Sequence, residues 1–109
     1  MYKFELKEED WKIYKNEITK WQERFFDKNI LLIKEIINSN KESINKFYDV
    51  NKFIHKNKKH PLANLELRRS TMVDTILYLA SINEISFDDL KPFSNELKDY
   101  IDFVIKQRY

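Results

Sequence analysis

The densest group of chemically able side chains is His55-Lys56-Asn57-Lys58-Lys59-His60, preceded by Lys52 and followed by Arg68 and Arg69. Cations in such a run attract phosphates, and each phosphate neutralised releases counterions and gives salt-dependent affinity. Phe47, Tyr48 and Phe53 flank the run and offer faces on which bases can stack. Lys52, Lys56, Lys58, Lys59, Arg68 and Arg69 are therefore candidate contacts for an anion or a nucleic acid. A structural account competes with this one: lysines near a helix C-terminus suit its dipole, and the aromatics fill a core. A pI of about 8.7 lies below the strongly basic range of dedicated nucleic-acid binders and favours the structural account.

Other chemistries find less support. His55, His60, Asp88, Asp89 and Glu66 are the metal-ligand candidates, but no histidine pair stands at ligand spacing, and no metal is expected. A closely spaced Arg–His pair, used by some small helical ribonucleases, is missing, because Arg24 is the only arginine before His55. Asp88-Asp89 points two carboxylates in different directions around a helix and suits a capped helix start better than acid–base work. The chain holds no glycine. Phosphate loops, dinucleotide fingerprints, EF-hand loops and nucleophile elbows all need glycine at fixed places, so none of them is present. No cofactor is expected and no enzymatic activity.

The 109 residues suit one domain, and 42% hydrophobic residues with 2 Trp, 6 Tyr and 8 Phe are enough for a core. The absence of cysteine removes disulfides and thiolate sites and fits a reducing compartment, so a cytoplasmic location is expected. The charged start of the chain lacks the pattern of a signal peptide. The apolar run from Ile30 to Ile37 contains Lys34 and Glu35 and is too short to span a bilayer. Net charge is +2, unevenly placed: residues 41–69 carry eight Lys/Arg against three Asp/Glu, and residues 70–109 four against seven.

These side chains must be held by helices. Trp11, Tyr14, Ile18, Trp21 and Phe25 recur at alternating spacings of 3 and 4 and mark one stripe of a first helix, opened by Glu8, Glu9 and Asp10. The apolar pattern continues through Phe26, Ile30, Leu32, Ile33, Ile36 and Ile37, which predicts one continuous helix over about 8–38 across Asp27-Lys28-Asn29. Ser39 with Glu42 suggests a capping box that starts a second helix, with Ile44, Phe47, Tyr48, Phe53 and Ile54 as its apolar set. A third helix is predicted over about 62–82, with Leu65, Met72, Val73, Ile76, Leu77 and Ala80 as buried candidates. Ser86 and Asp89 cap a short helical turn, and Ser94 caps a last helix with Leu97, Ile101, Val104 and Ile105 inward. Without glycine, left-handed helix ends are to be sought at Asn38, Asn40, Asn57 and Asn83.

Trp21-Gln22-Glu23, Lys46-Phe47-Tyr48, Asn57-Lys58-Lys59-His60-Pro61, Leu65-Glu66-Leu67-Arg68-Arg69-Ser70-Thr71-Met72, Ile85-Ser86-Phe87-Asp88-Asp89-Leu90 and Phe93-Ser94-Asn95-Glu96-Leu97-Lys98 together resemble a group of short helical proteins from low-GC bacteria over residues 21–105. That group has no assigned activity, so the resemblance implies a helical fold and no catalytic residue. Leu62 stands where the group's pattern has a glycine.

The expectation is an all-α fold: one domain over 1–109, an elongated bundle of about four helices plus a short helical turn. Residues 1–7 form an arm, and the first helix packs on the third. The expected function is a non-enzymatic protein-interaction module of the adaptor, inhibitor or immunity type. It would meet a partner through exposed aromatics such as Tyr2, Phe4, Tyr78, Tyr100 and Tyr109, with self-association as the simplest form. The alternative is a nucleic-acid-binding regulator acting through residues 52–69.

Overall fold

A computed structural model describes residues 4–108, Arg108 by its backbone alone. The fold is all-α: α1 (Glu8–Ile37), α2 (Ser43–Asn57), α3 (Arg69–Ser81) and α4 (Asn95–Arg108), with a 3-10 turn at Phe87–Leu90 ahead of α4. Among the described residues there is no strand. The first helix is continuous for 30 residues, roughly 45 Å at 1.5 Å per residue. Asp27-Lys28-Asn29 does not break it, since none of the three is a glycine or proline and Asn29 is itself buried.

The chain divides into two compact units, one made of the residues up to Thr19 and from Leu67 onward, the other of Lys20–Glu66. In the first, Trp11, Tyr14 and Ile18 supply the α1 stripe, Met72, Ile76 and Leu79 come from α3, and Leu97 and Ile101 from α4. All are buried, and α3 packs on α4. The start of α1 is tied to the start of α3: the Arg69 guanidinium lies 2.6 Å from Glu8 and 5.6 Å from the Trp11 ring centroid. Phe4 stacks on Tyr100 at 5.0 Å, which fastens the arm to α4.

The ends of α4 and the 3-10 turn follow their sequence signals. Leu97 N–H donates to Ser94 Oγ at 3.2 Å, and Ser86 N–H donates to the Asp89 carboxylate at 2.8 Å. Ser94 also donates through its amide (2.8 Å) and its hydroxyl (2.6 Å) to the carboxylate of Asp10. A fully buried acid in the first turn of α1 thereby holds the N-terminus of α4.

Three boundaries differ from expectation. The third helix starts at Arg69, not near Leu62, because Pro61 to Asn64 fold into turns in which Ala63 and Asn64 both donate to the His60 carbonyl. Leu65 is consequently half-buried in a link without regular structure. Ser39 does not cap α2. Its hydroxyl donates back to the Ile36 carbonyl at 2.8 Å and finishes α1, while Glu42 takes the N-cap of α2 without a side-chain bond. Of the four asparagines, Asn83 alone has a left-handed backbone, with φ of 59°. There Glu84 N–H reaches back to the Leu79 carbonyl at 2.9 Å and closes α3.

Candidate interaction surface

The second unit is an αα-hairpin: α1 from residue 20 onward, a loop at 38–42, α2, and the turns that follow α2. Its secure part lies at the end away from the loop. Phe25 is buried and stacks on the His60 ring at 4.2 Å, and Leu62 is fully buried. Gln22 Nε2 donates to the Leu62 carbonyl at 2.9 Å. His60 Nδ1 accepts the Leu62 amide at 3.1 Å, and the Asn64 side chain donates to the Lys58 carbonyl. Leu62 is the anchor that pins this turn against α1.

Toward the loop the hairpin closes differently, because α2 buries no residue at all. Phe26, Ile30, Ile33 and Ile37 recur at 4-3-4 spacing on α1, and Phe47, Val50 and Ile54 at 3-4 spacing on α2, so each helix offers a straight apolar ridge. Between the ridges run two hollows on one side of the hairpin. One, of about 280 Å³, lies among Phe25, Phe26, Ile30, Ile33 and Ile54, and the other, of about 470 Å³, among Ile37, Phe47, Val50 and Ile54. They share Ile54 and contain no carboxylate, while Lys58 borders the first and Lys46 the second.

Exposure along this side is high. Phe47 keeps 72% of its surface, Ile30 and Ile37 51% each, and Ile54 49%, while Ile44 and Tyr48, farther round α2, keep 60% and 61%. At about 150–250 Å² for a whole aromatic side chain, Phe47, Ile30, Ile37 and Ile54 with Phe26 leave apolar surface on the order of 500 Å² in contact with water. Single exposed apolar residues are ordinary, whereas patches beyond a few hundred Å² mark interaction sites. The opposite side of the hairpin is polar at its edge. Lys41 Nζ lies 2.7 Å from Asp49, with Lys52 and Lys56 beside them and Glu35 near Leu32 and Ile36.

The basic candidates are divided between the units. Lys52 and Lys56 are exposed on the polar side of α2, Lys58 borders a hollow, and Lys59 is exposed in the following turn. Arg68 is the N-cap of α3, and Arg69 is engaged with Glu8 and Trp11 in the first unit. His60 is half-buried and stacked, not the exposed polar histidine that its neighbours suggest. Among the aromatic partner candidates, Tyr78 is exposed on α3, whereas Phe4 and Tyr100 stack on each other. Tyr2 and Tyr109 lie outside the described residues.

The apolar face centred on Phe47 and Ile30 is thus a surface that inspection of single exposed aromatics misses. Its signal in the sequence is the surplus of apolar residues from Phe26 to Ile37, more than a neighbouring short helix can cover. Among the described residues, no helix is long and apolar enough to cross a membrane, and no group of three or more potential metal ligands is gathered. Compared with known proteins, the chain matches no protein-family model, no curated protein and no solved structure.

Proposed function

We propose that this protein is a non-enzymatic protein-interaction module that engages its partner through the apolar side of the α1–α2 hairpin. The observation that carries this is the exposure of a whole helix: α2 has four large apolar residues, Ile44, Phe47, Tyr48 and Ile54, each about half or more exposed. Leaving such a surface in water forgoes about 25 cal/mol for each Å² that a partner would cover. Nearby lysines border the face and do not interrupt it, the usual arrangement of an apolar centre with a polar rim.

Affinity capture from the producing cell tests this with three baits: the wild-type chain, an Ile30→Glu/Phe47→Glu variant, and Tyr78→Glu in the first unit. The expected result is a specific set of proteins held by wild type and Tyr78→Glu and lost by the double variant. The same set on all three baits would remove the face from the account.

The competing proposal is nucleic-acid binding through Lys52, Lys56, Lys58 and Lys59, favoured by the exposure of Phe47 and Tyr48 next to Lys52. Retention on heparin with a steep salt slope, lost on replacing Lys56, Lys58 and Lys59, is its signature. Flow-through at low salt sinks it.

A further inference from the structure

Resting on that reading, we propose that the occupant of the hairpin face is a second copy of this chain, so that two hairpins close a four-helix bundle about a two-fold axis running along them. An isologous contact requires one surface to hold both protrusions and hollows. This one does: the Phe47 ring stands out into solvent at the edge of two hollows that meet at Ile54. The area is also sufficient. A standard interface covers about 800 Å² per partner, roughly 60% of it apolar. The apolar surface left on this side, on the order of 500 Å², matches the apolar share of that area. Both ridges have the 4-3 alternation that packs helices into left-handed bundles.

Charge selects the axis. At the end away from the loop, α1 carries Glu23 and Asp27 next to the Phe26–Ile30 ridge, and α2 ends in His55, Lys58 and Lys59. A two-fold along the hairpin sets α1 antiparallel against the partner's α2 and brings Glu23 and Asp27 to that basic end. A two-fold across the hairpin would set α2 on α2 and direct Lys58 toward the partner's Lys46, an arrangement of like charges.

The test places a photo-cross-linking phenylalanine at position 47 of the full chain in the producing cell, paired with sedimentation velocity of the purified protein. The expected results are a cross-linked species of twice the 13.4 kDa chain mass composed of this chain alone, and a dimer in solution. Ile30→Glu and Phe47→Glu, each at an exposed site, should weaken that dimer by about 100-fold or more while leaving far-UV helicity unchanged, because each buries an unpaired charge. Tyr78→Glu should leave it intact. Cross-linking to a different protein, or a wild-type monomer at the highest concentration reached, overturns the second copy and leaves the interaction module standing. A dimer that survives both charge substitutions also overturns it. No cross-link to any protein removes both proposals together.

Discussion

Leu97 and Phe47 are both large apolar residues on amphipathic helices of one chain, yet Leu97 is fully buried and Phe47 keeps 72% of its surface exposed. In the first unit, the stripes of α1, α3 and α4 each supply fully buried residues, and the joints between them are tied by Asp10 to Ser94 and Arg69 to Glu8. The second unit has two helices and a turn. Two helices facing each other leave a flank of each uncovered, since a domain core needs layers on both sides. Sequence patterning makes a helix amphipathic in both units, and the number of neighbours decides whether the apolar face ends as core or as surface.

Substitutions in the two units should therefore diverge, most strongly at buried apolar sites. Leu97→Ala is expected to lower the unfolding free energy by about 2–5 kcal/mol in a denaturant titration. Phe47→Ala in dilute solution should stay within about 0.5 kcal/mol of wild type, because its ring covers little. Similar losses at the two sites would erase the contrast.

Next in size is the Asp10 joint. Asp10→Ala leaves the Ser94 amide and hydroxyl without their buried acceptor and should cost about 1–3 kcal/mol. A double-mutant cycle with Ser94→Ala should show non-additivity, and independent losses would mean that the carboxylate acts elsewhere.

Tyr14 gives a pH-dependent distinction. Burial raises its phenol pKa above the ordinary 10.0, against a smaller lowering by the hydrogen bond with Thr75. With the folded value above the unfolded one, the folded state holds the proton longer, so stability is full below pH 10.0 and is lost as pH rises through the folded pKa. Tyr14→Phe should flatten that alkaline limb in thermal melts across pH. An unchanged limb would place the titration on another group.

The smallest effect is expected at the start of α4. Its own backbone amide, and then Lys7 at 3.1 Å, hold the Glu96 carboxyl below the ordinary 4.5. The stabilisation is present above the unfolded pKa and fades as pH falls through the folded one. Lys7→Met should raise the Glu96 pKa part of the way back in an NMR titration, with little change in stability at this exposed site. A Glu96 pKa that does not move would leave the amide alone as its cause.

Much of the first unit is legible in residue order. The stripe of Trp11, Tyr14 and Ile18 is buried, Ser94 caps α4, and Asn83 takes the left-handed end of α3. These signals are local, arising from helical period or from a side chain bonding a nearby amide. Asp10 was legible only as an acid suited to a helix start, because its partner stands 84 residues away. Arg69 belonged by spacing to the basic run but by structure to Glu8 and Trp11, a long-range choice that periodicity does not encode. In the second unit the pattern names the apolar residues of α2 correctly, but it says nothing of what covers them. Phe47 and Tyr48 consequently look like core or base-stacking residues, although neither is buried.

Hydrogen exchange followed residue by residue at two protein concentrations tests the contrast most directly. The amides of α2 should be weakly protected in dilute solution and become slower to exchange as concentration rises, with those of α3 and α4 unchanged. Protection of α2 equal to that of α3 at every concentration would contradict the account, because the hairpin would then be complete without a partner.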